Sequence, residues 1–148
     1  MQSERPARAS VVITTYNWPQ ALERALQALA RQTVLPYEVI VADDGSRDDT
    51  RALIERLARG YPVPLRHSWV EDRGFRVALA RNRAIAATTG DYVLLLDGDM
   101  LAHPRFVEDH LRAAARGSFV QGMRVLTDEV GRDRLLSGET DRLRLDRK

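Results

Sequence analysis

The stretch YVLLLDGDMLAHP, residues 92–104, decides how this chain is read. Five apolar residues, Tyr92 to Leu96, run directly into Asp97 and Asp99, with only Gly98 between the two acids. The apolar run predicts a strand, and near-continuous apolar strands fit a parallel sheet covered on both faces. Two like charges at its end repel each other and cost stability unless something positive lies between them. Carboxylates at i and i+2 can turn toward one point if Gly98 relaxes the turn. Their oxygens are hard ligands suited to Mn2+ or Mg2+, ions held by one or two carboxylates with phosphate oxygens and water completing the shell. The bland alternative is a solvated Asp-Gly-Asp turn with incidental acids.

Working outward, strands and helices alternate. SVVITTYN (10–17) predicts a strand ending in polar residues, and PQALERALQALARQT (19–33) a helix with Leu22, Leu26 and Leu29 on one face. Pro19 suits a helix's first turn. YEVIVADDGS (37–46) is a second strand, DDTRALIERLARG (48–60) a second helix, and LRHSWV (65–70) a weaker third strand. GFRVALARNRAIAATTG (74–90) predicts a third helix whose alanines allow close packing. After the 92–96 strand, PRFVEDHLRAAARG (104–117) predicts a helix and SFVQGMRVL (118–126) a final strand. The remaining residues are charged and only weakly periodic. This order predicts an α/β fold, an open, mostly parallel twisted sheet with helices on both faces. Ligands of such sheets bind beyond the carboxyl ends of the strands. TTYN, DDGS and DGD each follow a strand, so all three are expected at one crevice.

Composition narrows the chemistry. The 148 residues suffice for one domain, with a tail at 1–9, a body at 10–127 and a charged segment at 128–148. There is no cysteine, so a metal must be held by oxygen or imidazole. No apolar run approaches the ~20 residues of a membrane helix, and MQSERPARAS has no apolar signal core, so a cytoplasmic location is expected. Of the 23 basic residues 22 are arginine, from base-composition bias or because guanidinium forks suit phosphate ligands. No basic run is interleaved with aromatics, so no nucleic-acid partner is expected.

Within the strand-end clusters, Asp43 or Asp44 can accept hydrogen bonds from a base or from ribose. Asp44 is assigned the ligand contact and Asp48–Thr50 the helix cap. Tyr16 and Asn17 end the first strand, where a tyrosine offers a face for a base or simply packs at the sheet edge. Arg76 and Arg81 can clamp phosphate or be ordinary exposed helix arginines. His103 is either a helix N-terminal residue or a third metal ligand, with the first preferred.

Together, VVITTYN, VIVADDGSRDDT and ARNRAIAATTGDYVLLLDGDM, in this order and spacing, resemble the inverting family 2 glycosyltransferases of GT-A fold. The resemblance runs from about Ser10 to Leu126 and would make 10–127 a nucleotide-sugar-binding domain. The DRGFR…ARN…DGDM stretch is similar to bacterial enzymes that build capsule, lipopolysaccharide or glycosaminoglycan-like sugars. The resemblance implies a nucleotide-diphospho-sugar donor, a UDP-sugar by preference, and a glycan or lipid-linked acceptor. It places Thr14 and Tyr16 beside the base, with Asn17 in the same strand-end segment, and makes Asp44 an acceptor from the base. Arg76 and Arg81 would lie near the nucleotide and diphosphate, Asp97 would bind ribose or a metal-bound water, and Asp99 would ligate Mn2+ or Mg2+.

Two departures stand out. Thr14 replaces a proline common in relatives. The general base that inversion needs is not recognisable: Asp128, Glu129, Glu139 and Asp141 follow the acid pair, none in a familiar base motif. The chain is therefore expected to be the donor-binding half of a longer enzyme, or a natural short form. The alternative is a non-catalytic nucleotide-sugar-binding module, and a pure interaction domain is a third. A haloacid-dehalogenase-type phosphatase would need the Asp-x-Asp on its opening strand and a downstream lysine, whereas the only lysine is Lys148. The basic end DRLRLDRK is read as a solvated tail, with contact to a partner chain or the inner face of a membrane as its alternative.

Overall fold

A computed structural model describes residues 8–140 of the chain. The end DRLRLDRK with Asp141, and 1–7 of the expected tail, lie outside the described residues. The elements alternate as β1 (Ala9–Thr15), α1 (Pro19–Ala30), β2 (Glu38–Asp43), α2 (Asp48–Ala58), β3 (Leu65–Trp69), α3 (Val77–Ala86), β4 (Tyr92–Asp97), α4 (Phe106–Ala113) and α5 (Glu129–Ser137). The four strands form one parallel sheet in the order β3-β2-β1-β4.

The two-residue period of a strand sorts the core into two layers. Val11, Ile13, Val39, Val41, Leu94 and Leu96 face Leu22, Leu26 and Leu29 of α1, Leu53 and Ile54 of α2 and Val107 of α4. On the other face Val12, Ile40 and Ala42 meet Ala80 and Ala84 of α3, whose methyl side chains let the helix lie close to the sheet. The central strand β1 is buried along its whole length.

Three expectations are corrected. The run at 92–96 is not covered on both faces: α3 lies against β1 and β2, and Leu95 on the edge strand β4 is 51% exposed. The segment 118–126 forms no strand. A strand needs a ladder partner, and Phe119, Met123 and Leu126 of this segment are exposed instead of pairing with the free edge of β4. The charged segment after 127 holds a helix, α5. Asp128 Oδ1 accepts from the Gly131 amide at 2.7 Å, and Gly138 closes the helix in the left-handed region. The tip of α5 meets α1 at Arg24, 3.5 Å from where a Cβ on Gly138 would stand.

No helix among the described residues is long and apolar enough to cross a membrane.

Candidate active site

The sheet register brings the polar strand ends together. Thr14 lies opposite Asp97, and Thr15 opposite Asp43. Beyond these ends opens a cavity of about 230 Å³ lined by Thr14, Tyr16, Asp44, Asp97 and Asp99, with Trp18 and Val77 as apolar walls. TTYN, DDGS and DGD therefore share one crevice.

Gly98 is required for a reason other than turn flexibility. A Cβ there would stand 2.4 Å from the Thr14 carbonyl oxygen, so the β4 end can approach β1 only without a side chain. Gly45 has φ +98°, and a Cβ there would meet the Asp72 backbone at 2.6 Å. The loop after β3 thus rests directly on the DDGS turn.

Asp44 is buried, and the peptide N–H of Arg76 donates to its Oδ2 at 2.8 Å. Its Oδ1 is buried without a hydrogen-bond partner. An unmatched buried carboxylate oxygen is costly, and a donor arriving in the cavity would remove the cost. Asp97 Oδ1 accepts from the Thr14 hydroxyl at 3.0 Å and from Arg81 at 3.3 Å. Asp99 is exposed and has no partner among the described residues. Tyr16 is half exposed, and its hydroxyl donates to Asp72 at 3.1 Å.

Not every expected residue faces the cavity. Asn17 turns away: its Oδ1 accepts from the Arg47 amide and its own N–H donates to Ser46 Oγ, both at 2.9 Å. It adopts φ 48°, which asparagine tolerates better than most residues. Asn17 therefore supplies part of the α2 cap expected from Asp48–Thr50, and within that stretch only Asp49 contributes, accepting from the Thr50 amide at 2.8 Å. The Arg76 and Arg81 side chains take different partners. The Arg76 guanidinium donates to the Glu71 carbonyl, and Arg81 reaches Asp97. His103 Nδ1 accepts from the Arg105 amide at 3.2 Å, the helix-start role preferred for it.

Sequence reading missed the support beneath the site. Asp43 is fully buried, accepting from the Ser46 amide and lying 2.8 Å from His67 Nε2. Burial pushes its carboxyl up, but the hydrogen bonds from His67 and Ser46 outweigh burial and hold it below its ordinary value. A histidine two residues before the end of β3 was the available signal. Gln32 is a second support. Its amide donates to the His103 carbonyl at 2.9 Å and its Oε1 accepts from the Val107 amide at 3.0 Å, fixing the chain just after the acid pair.

The donor set fits a divalent cation that is also held by phosphate. Asp97 and Asp99 line one cavity and Asp99 is unpaired, while no cluster of three or more metal-ligating side chains occurs among the described residues. Among the described residues, Asp44 is the one other acid that lines the cavity. Asp128 caps α5 and Glu139 pairs with Arg134 at 2.9 Å.

Comparison with known proteins gives this geometry its context. The model of the family described as "Glycosyl transferase family 2" matches residues 10–146. The chain belongs to that family. Validoxylamine A glucosyltransferase of Streptomyces hygroscopicus subsp. limoneus is 44% identical over 110 residues, 72% of this chain and 23% of the relative. TarS of S. aureus, solved in complex with UDP, superposes with a TM-score of 0.64 at 25% identity, over 78% of this chain and 38% of that one. The mannosyltransferase PcManGT of Pyrobaculum calidifontis, solved with GDP-Man and Mn2+, gives 0.59 at 34% identity, over 73% of this chain and 31% of that one. The fold is the α/β GT-A fold of these glycosyltransferases, and the chain spans about a quarter of the length of the curated relative.

Proposed function

We propose that the chain forms the donor-binding part of a glycosyltransferase that takes a sugar from a nucleotide-diphospho-sugar. The observation that carries this reading is the unpartnered, buried Asp44 Oδ1 in the same cavity as the unpaired Asp99. Asp44 accepts an N–H from the base, whose ring lies against Tyr16. A UDP-sugar is the preferred donor, supported by the UDP-bound relative, with GDP as its competitor from the mannosyltransferase. The ribose and diphosphate extend toward Asp97, Asp99 and Arg81, and Thr14 holds Asp97 in place. Asp99, with Asp97, holds Mn2+ or Mg2+, which when bound neutralises charge on the departing diphosphate.

In an inverting transfer the acceptor oxygen forms a bond to the anomeric carbon as the bond from that carbon to the β-phosphate oxygen breaks. The hydroxyl proton passes to a base, and the nucleoside diphosphate departs. The acceptor is a glycan or a lipid-linked sugar, and the corresponding location is the cytoplasm or the inner face of a membrane. Domain limits of 10–127 for donor binding, with 128–148 leading into an acceptor-binding part, belong to the same proposal. The second reading, a nucleotide-sugar-binding module without turnover, draws on the lack of any further acid in the cavity among the described residues.

The test is a thermal-shift panel of UDP, GDP and dTDP, each with and without Mn2+, on wild type and Asp99→Asn. A ligand at a hundred times its dissociation constant stabilises by ~2.7 kcal/mol. For a domain of this size that is roughly a 5–10 °C shift. The expected result is a Mn2+-dependent shift with UDP that the variant loses. Absence of a shift with every nucleotide, in folded wild type, overturns the reading.

A further inference from the structure

A second cavity, about 380 Å³, lies between the carboxyl end of β3 and α3, and the candidate active site does not use it. Its walls carry Trp69, Leu79 and three arginines, Arg73, Arg76 and Arg83, with Glu71 as the one acid. Like charges gathered round one space repel, so their compensation is informative. Arg73 is neutralised by Glu71 at 2.7 Å. Arg76 reaches only a carbonyl, that of Glu71, and its Nε is buried with no partner. The Arg83 carbonyl accepts from the Ala87 amide, but its guanidinium has no hydrogen-bond or ion-pair partner among the described residues. Two guanidinium groups thus remain uncompensated beside the part-exposed Leu79 and Trp69, whose ring also has the Arg51 guanidinium 6.0 Å from its centroid.

We propose that this cavity binds the phosphate group of a phosphorylated ligand, with Arg76 and Arg83 on the phosphate and the ligand's less polar body against Trp69 and Leu79. Planar guanidinium forks match phosphate oxygens, and charge-assisted bonds of this kind are the strong ones. Arg76 also links the two cavities, because its peptide N–H donates to Asp44 Oδ2 while its side chain lines the second space. An anion on the guanidinium would steady the residue that orients Asp44. The phosphate belongs either to a soluble molecule or to a lipid headgroup, and the same chemistry serves both.

Amide chemical-shift titration with inorganic phosphate, in metal-free buffer with chelator, tests the site on wild type, Arg83→Gln and Asp99→Asn. The Arg83 side chain bonds to nothing within the described fold, so this variant is expected to melt with wild type. Phosphate should bind wild type and Asp99→Asn equally and Arg83→Gln about ten-fold more weakly. Phosphatidylglycerol vesicles separate the two sources. Sedimentation with vesicles that Arg83→Gln abolishes assigns the phosphate to a headgroup, and phosphate binding without sedimentation assigns it to a soluble molecule. If neither probe binds wild type, or if Arg83→Gln binds as well as wild type, the proposal falls. A parallel titration with UDP and Mn2+ should respond to Asp99→Asn and not to Arg83→Gln; its failure would bear on the donor reading alone.

Discussion

His67 Nε2 lies 2.8 Å from Asp43 Oδ2, joining β3 to the buried end of β2 directly beneath the turn that carries Asp44. Replacing His67 with phenylalanine keeps the volume but leaves a buried carboxylate oxygen without its partner. The expected cost is about 1–3 kcal/mol of stability, read by urea denaturation. Because the Ser46 amide still holds the other oxygen, the fold should survive, with weakened UDP affinity reporting a loosened turn. A variant with unchanged stability would show that the contact contributes nothing.

Gly98 should tolerate no side chain. The methyl of Gly98→Ala would meet the Thr14 carbonyl oxygen, and backbone can yield only by parting β4 from β1. Overpacking of this kind costs about 1–3 kcal/mol, so the denaturation midpoint should fall and Mn2+-dependent nucleotide binding should weaken with it. Gly60→Ala is the control, since nothing lies within 4 Å of a Cβ there.

The Gln32 bracket predicts a similar loss from a change far from any ligand. Gln32→Leu fills the same space but strips the Val107 amide of its partner, while the His103 carbonyl keeps the Phe106 amide. An unmatched buried backbone amide costs about 1–3 kcal/mol. Hydrogen exchange at Val107 should quicken in the variant; exchange as slow as in wild type would contradict the bracket.

Acid should expose the role of Glu38. Burial pushes this carboxyl up, but the Thr89 amide, the Ser10 hydroxyl, Arg66 and the Thr89 hydroxyl outweigh it and bring it from 4.5 down to about 2. The unfolded chain binds this proton more readily than the folded one. The contribution is therefore complete above pH 4.5 and lost as pH falls toward about 2. Glu38→Gln should lower stability at neutral pH and flatten the acid limb of the curve of stability against pH. Parallel curves for wild type and variant would refute the assignment.

Much of this architecture is written locally. β-branched runs, Pro19 at a helix start and acids opening α2 are properties of neighbouring residues, and the three strand-end clusters follow from where those runs stop. What the sequence hid is non-local. Whether 118–126 pairs depends on a strand that must reach it, and whether Asn17 faces ligand or scaffold depends on an amide thirty residues away. The covering of Leu95 depends on how far α3 extends across the sheet. α5 went unread although its ends, Asp128 and Gly138, carried ordinary start and stop signals; its weak apolar pattern masked them.

The strand order assigns the two halves of the crevice to backbone of unequal tenure. Asp44 follows an interior strand, hydrogen-bonded on both sides by β1 and β3, whereas Asp97 and Asp99 leave β4, which among the described residues is paired on one side only. Opening of the sheet should begin at the edge and reach the interior last. The acids that would hold the cation therefore sit on the part of the framework that yields first, and the acceptor for the base on a part that outlasts it. As the fold is loosened, grip on the diphosphate end should be surrendered while the base end is still formed.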